Sequence, residues 1–294
     1  MLKKLDIYGH VMTRNSIYNL KAIASQVRRD IVRIVHASQS GHLGASLGCI
    51  ELLVALYFEV MVRHEEFDLE GHGEDLFFLS NGHISPVFYS VLARVGYFPL
   101  EERATFREID PRLQGHATAR EGLLGIPAVS GSLGQVFSVA IRAAQIKKLN
   151  QDDHLVYVLM GNGELQEGQI WEAALYAPPN QLDNLIAIVD YNDVQIDGAT
   201  EAALSWGDLH AKWSAFGWKV IEVKRGNNMT LVVEGLHHAK ETAKKGVPVV
   251  IILNTEMGND VDFRMGSDNW HGVAPNDEQL TSALAQNMET LGDY

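Results

Sequence analysis

The chain has 294 residues, 46% of them hydrophobic and 21% charged, with a formal net charge of −13 at pH 7. A chain of that size buries a large core, its composition is that of a folded globular protein, and its acidic balance argues against nucleic acid as a partner. The start turns polar directly after Lys4 and no apolar run approaches the roughly 20 residues that cross a bilayer, so neither export nor a membrane partner is expected. The single cysteine, Cys49, allows no internal disulfide and reads as a buried structural thiol, which suits a cytoplasmic protein.

Residues 1–15 read as a tail. Apolar side chains at Ile17, Leu20, Ile23, Ala24, Val27, Ile31, Ile34 and Val35 predict a helix over 16–38. Arg28, Arg29 and Arg33 are expected on its solvated face or at an interface. The small-residue stretch 41–48 reads as a loop that opens a second helix over 49–62 and brings backbone N–H groups and His42 forward. A buried strand is expected at 75–79, followed by Ser80-Asn81-Gly82-His83 and a helix over 87–95. Arg112 to His116 places another Gly-His pair in a loop. Each histidine alone reads as a cap or surface residue. Three Gly-His pairs at loop positions of one α/β chain read as a single anion- and sugar-binding surface.

Gly131-Ser132-Leu133-Gly134-Gln135 starts a long helix to 149, and such a glycine-rich N-terminus offers unpaired N–H groups and the positive dipole end to a diphosphate. Apolar strands are expected at 154–160 and 184–189. The first runs into Gly161-Asn162-Gly163-Glu164 and the second into Asp190-Tyr191-Asn192-Asp193. Ligands of open α/β sheets bind at such strand ends. Glycines admit a bulky anion, and the amide oxygens of Asn162 and Asn192 are suited to converge on one hard cation. Taken alone, a glycine turn after a strand is an ordinary strand-to-helix loop, and the nicotinamide-binding fingerprint fails because position 166 is Gln166. Further helices are expected at 166–176, 205–216 and 228–245, strands at 219–223 and 249–253, and a polar amphipathic helix from Asn276 to the end. The alternation predicts one α/β domain over 16–280, a three-layer parallel sheet with helices on both faces, and a tail at 281–294.

Together these motifs resemble the transketolases. Gly161-Asn162-Gly163-Glu164 and Asn192 are similar to that family's thiamin-diphosphate motif. Glu164 to Glu172, Ile196-Asp197-Gly198, the three Gly-His pairs, Gly131 to Gln135 and Trp270-His271-Gly272-Val273-Ala274-Pro275 follow the family closely. The resemblance implies the thiamin-diphosphate-binding fold, with His42, His83, His116 and His271 as catalytic groups. It also implies a diphosphate cradle of Gly131, Ser132, Leu133, Gly134, Gly161, Gly163, Glu164 and Asn192, joined by His83 and His271. A divalent ion, Mg2+ or else Ca2+ or Mn2+, would be held by Asn162, Asn192 and the carbonyl of Val194.

The resemblance runs from about residue 20 to 280 and covers only the first of a transketolase's three domains. It therefore implies the N-terminal subunit of a split transketolase, completed by a separate C-terminal, pyrimidine-binding subunit in a heterotetramer, or a homodimer of the N-terminal subunit. The implied reaction moves a two-carbon ketol unit between sugar phosphates, as in the pentose phosphate pathway. The chain departs from the family at Leu43, Val136, Asn162, Asp193 and 266–270. Asn162 stands where the family carries aspartate, and loss of that charge at contact distance is worth several kcal/mol at an effective dielectric of about 20. Weakened cation affinity is expected. The alternative reading is a non-catalytic scaffold or regulatory subunit, with Glu167 in an interface.

Overall fold

The computed structural model describes residues 16–192, 194, 195, 198, 199, 207–262 and 273–294. His271, Asp193, Ile196, Asp197 and 266–270 lie outside the described residues. Helix α1 (Ile17–Ser38) begins where the Ser16 side chain accepts the Asn19 N–H at 3.2 Å and ends at Gln39 in the left-handed conformation, φ 48°. Next come α2 (Leu43–Gly48), α3 (Ile50–Ala55) with a π-turn over Leu56–Val60, β1 (Leu76–Leu79) and α4 (Ser85–Arg94). Then follow α5 (Gln135–Leu149), β2 (Val156–Gly161), α6 (Gly168–Tyr176), β3 (Leu185–Tyr191) and the short antiparallel pair β4 (Val194–Gln195) and β5 (Gly198–Ala199). The rest is α7 (Leu209–Ala215), β6 (Lys219–Val223), α8 (Met229–Thr242), β7 (Val249–Asn254) and α9 (Asp277–Gln286).

The five-stranded sheet runs β1-β2-β3-β7-β6 and every neighbouring pair is parallel. Alternate residues of each strand enter separate cores, as the period of two requires. Phe77, Leu79, Tyr157, Leu159, Ile186, Ile188 and Ile251 share one core with α1 to α4 and α8. Leu76, Phe78, Val156, Val158, Leu185, Ala187 and Val189 share the other with α5, α6 and α7. Trp213 closes this second face, its ring centroid 5.0 Å from Trp218 and 5.4 Å from Trp171. This is the expected three-layer α/β architecture. No described helix is long and apolar enough to cross a membrane.

Several expectations are corrected. The stretch 41–48 is not a loop, because its chain is helical from Leu43, and the expected helix over 49–62 begins at Ile50, passes directly into the π-turn and ends at Val60. The glycines that suggested a loop serve close packing instead: a Cβ on Gly44 would lie 2.8 Å from Met257 Cγ, and one on Gly48 3.2 Å from the Glu256 carbonyl oxygen. Helix α5 starts only at Gln135, after Gly134 at φ 84°. The arginines of α1 do not form a solvated face. Arg28 is buried and pairs with Glu51 at 2.6 Å, Arg29 pairs with Asp293 at 2.6 Å, and Arg33 donates to the Tyr294 carbonyl at 2.7 Å. The Arg29 and Arg33 bonds, with Arg29 also donating to the Asn287 carbonyl at 2.9 Å and Arg94 of α4 to the Gly292 carbonyl at 2.8 Å, bind residues 287–294 against α1 and α4 after α9 ends at Gln286. The expected terminal helix therefore stops short of the end.

Candidate functional site

The loops after β1 and β2 meet the turn before α5 at the carboxyl edge of the sheet. Their contact is close because glycine forms it: a Cβ on Gly82 would lie 2.5 Å from Ser130 Oγ and 2.7 Å from the Gly131 nitrogen. Gly131, at φ 108°, lies against the His116 ring, where a Cβ would come within 2.8 Å. One buried carboxylate ties the loops together. Glu164 accepts the Gly134 N–H at 2.8 Å, the Gly161 N–H at 3.2 Å and the Ser80 hydroxyl. Burial pushes its carboxyl above the usual range, against the pull of these donors. Both oxygens of Glu164, expected against the cofactor, are thus engaged with the protein.

The histidines lie on the same cluster of loops. His42, ahead of α2, meets His83 edge to face with ring centroids 5.1 Å apart at 62°. His83 sits in the 3-10 turn Gly82–Ile84, and His116 follows through its contact with Gly131. Partial desolvation, and secondarily the charge of Arg107, holds the His116 imidazole below its ordinary value. Sequence reasoning missed Arg107. Its guanidinium lies where a Cβ on Gly115 would be 2.6 Å from Nε, and it donates to Ser40 Oγ at 2.5 Å, so it joins the loops that carry His42 and His116. The signal for it was faint, since a lone arginine in a loop has no period. Its backbone is at φ 60°, unusual outside glycine.

The parallel register of β2 and β3 sets Gly161 beside Asp190, which brings Asn162 and Asn192 to neighbouring strand ends. Asn162 is buried and its N–H donates to the Asp190 carbonyl at 3.0 Å. Asn192 Nδ2 donates to Asp190 Oδ2 at 3.0 Å, while the Thr255 hydroxyl donates to Oδ1. Burial raises the Asp190 carboxyl, and hydrogen bonds from Thr255, Cys49 and Asn192 oppose that rise. Asp190 was also missed as a site residue, although an acid ending a wholly apolar strand is a visible signal. Val194 lies in β4, paired with Ala199. Among the described residues, no group of three or more His, Cys, Asp or Glu side chains is placed to hold a metal ion. The donors at hand are carboxamide and carbonyl oxygens, and these fit a hard cation whose charge a bound anion balances. Of the departures from the family pattern, Leu43 and Val136 are buried in the two cores, and Glu167 is exposed beside Gly134.

Residues 20–289 match the family model described as transketolase, thiamine diphosphate binding domain. The chain belongs to this transketolase family. Among its transketolase relatives, an apulose-4-phosphate transketolase subunit from Phocaeicola vulgatus is 34% identical over 94% of this chain and 96% of its own length. The 6-deoxy-6-sulfo-D-fructose transketolase subunit SqwG of Clostridium sp. strain MSTE9 is 36% identical over 91% and 96%. A crystal structure of transketolase from Pichia stipitis superposes with a TM-score of 0.83 at 30% identity, and one from Campylobacter jejuni with 0.84 at 28%. The chain spans 41% and 43% of those two transketolases, against nearly all of the subunit relatives. The glycine-lined loop junction also holds a polar group suited to a transketolase cofactor. Ahead of Gly82, Asn81 is 1% exposed and neither polar atom of its side chain has a hydrogen-bond partner.

Proposed function

We propose that the chain is the cofactor-binding, N-terminal subunit of a two-subunit transketolase that moves a two-carbon ketol unit from a ketose to an aldose phosphate. The observation that carries this reading is the close meeting of Gly82, Gly131 and His116 at one loop junction, with His42 and His83 in edge-to-face contact beside it. Thiamin diphosphate supplies, when bound, the carbanion nucleophile that such carbon–carbon cleavage needs. The chain's part is to bind and orient. Backbone groups of 131–133 and of Gly163 hold the diphosphate, while Gly134 and Gly161 shape the turns, their own N–H groups being given to Glu164. Asn162, Asn192 and the carbonyl of Val194 hold a magnesium ion, more weakly than an aspartate-bearing set because both side chains are neutral.

His42, His83 and His116 face the sugar oxygens and exchange protons there, with His271 joining them. The depressed His116 stays neutral near pH 7 and is fitted to accept a proton. The partner is a C-terminal subunit carrying the pyrimidine-binding domain, assembled with this chain into a heterotetramer in the cytoplasm. Residues 16–280 form the cofactor-binding unit, and 281–294 complete it by packing on α1.

Asn162 favours a second reading, a scaffold that keeps the fold without the chemistry. Titration calorimetry of the assembled pair with thiamin diphosphate and magnesium separates the two, followed by an assay of ketol transfer between a ketose and an aldose phosphate. Binding with turnover is expected. No binding by the assembled pair would leave the scaffold reading.

A further inference from the structure

The loop Ser80-Asn81-Gly82-His83 treats its polar side chains unequally. Ser80 turns beneath the loop and donates to Glu164. Asn81, one residue on, is 1% exposed, and its Nδ2 and Oδ1 are both without partners. Other buried amides of the chain have at least one end engaged: Gln26 donates to Asp293 and accepts the N–H groups of Thr290 and Leu291, Asn184 donates to the Ala144 carbonyl, and Asn287 donates to the Asp260 and Ala283 carbonyls. A fully buried carboxamide with neither end satisfied is costly, and an apolar side chain of the same shape would relieve that cost.

Its surroundings show what the side chain is aimed at. The Asn81 Cβ and Nδ2 lie 3.7 and 3.8 Å from the position of a Cβ on Gly161, at the mouth of β2. On its other side Gly82 abuts Gly131 at the turn before α5. The amide therefore stands between the two glycine turns assigned to the diphosphate. Of the two polar ends, the NH2 group donates to anionic oxygen, and two hydrogens allow it to span neighbouring phosphate oxygens.

We infer that Asn81 binds the diphosphate of the cofactor directly, and that the chain tolerates an unsatisfied amide in the free protein for the sake of that contact. This rests on the transketolase reading. The contact makes Asn81 a determinant of affinity that works against the stability of the empty protein.

The test compares the wild-type chain, assembled with its partner subunit, with Asn81→Leu and Asn81→Asp. Calorimetry uses magnesium with thiamin diphosphate and, separately, magnesium with inorganic pyrophosphate. Thermal unfolding is followed without ligand. Asn81→Leu is expected to lose at least tenfold in affinity for both probes and to melt higher than wild type when free. Asn81→Asp is expected to lose more, because a carboxylate repels the diphosphate. Wild-type affinity in Asn81→Leu overturns the inference alone, as does a lower melting point with unchanged affinity. Failure of the wild-type assembly to bind either probe overturns the transketolase reading and the inference with it.

Discussion

Glu164 accepts the Gly134 amide hydrogen at 2.8 Å, across thirty residues of sequence. That bond fastens the turn before α5 to the loop after β2, and Ser80 brings the loop after β1 to the same carboxylate. Glu164→Gln offers one acceptor oxygen where two oxygens serve three donors, and sets an NH2 group against a donor. A buried donor left unpaired costs about 1–3 kcal/mol. Urea unfolding is expected to show a loss of that order, with weaker binding of thiamin diphosphate. A variant as stable as wild type would mean that the carboxylate is not the tie.

Asn162 follows β2 with a neutral amide beside the proposed cation. Two unit charges about 4 Å apart interact by about 4 kcal/mol at an effective dielectric of 20, of which desolvation takes a share. Asn162→Asp is expected to tighten magnesium binding at least tenfold in calorimetry with thiamin diphosphate present. Unchanged affinity would place the ion away from residue 162.

Arg107 contributes to the depressed value of His116, after partial desolvation. Below the ordinary histidine value the unfolded chain binds more protons than the folded one, so this group makes stability rise with pH across that interval. Arg107→Gln is expected to raise the His116 pKa toward the ordinary value without passing it, because desolvation remains. Nuclear magnetic resonance titration of the imidazole reads the change. A pKa that stays put would show that the guanidinium charge is screened from the ring.

Asp293 is held down from 3.8 to about 2, chiefly by its hydrogen bond with Arg29 and against the effect of burial. A depressed carboxyl contributes stability that is complete above its unfolded value and is lost as pH falls through its folded one. The window therefore runs from about pH 4 down to about pH 2. Asp293→Asn is expected to unfold more easily at pH 7, by less than the linkage of roughly 1.4 kcal/mol per pKa unit alone would give, because the pair is partly solvated. The gap should close on acidification across that window, and a gap that persists at pH 2 would point to packing instead.

The sheet was legible because β2, β3 and β7 are buried on both faces and read as continuous apolar runs. The glycine turns were legible because close approach of three loops leaves no room for a Cβ. Other features were hidden for physical reasons. Gly44 and Gly48 look like a loop in sequence, yet a helix that presses on Met257 and Glu256 needs the same residues. The role of Arg29 was invisible because its partner lies 264 residues away. Glu164 was legible as a site residue but not as a strut, since only the fold reveals that both its oxygens face inward.

Cys49 is fully buried at the junction of α2 and α3, hydrogen bonded to Asp190, and its thiol is pushed well above the ordinary value by burial and then by that carboxylate. A thiol kept protonated and out of solvent is inert toward alkylating reagents while the fold is closed. Its labelling rate is consequently a native gauge of how often the floor beneath the strand ends comes apart, and cofactor loading would slow that clock without any engineered probe.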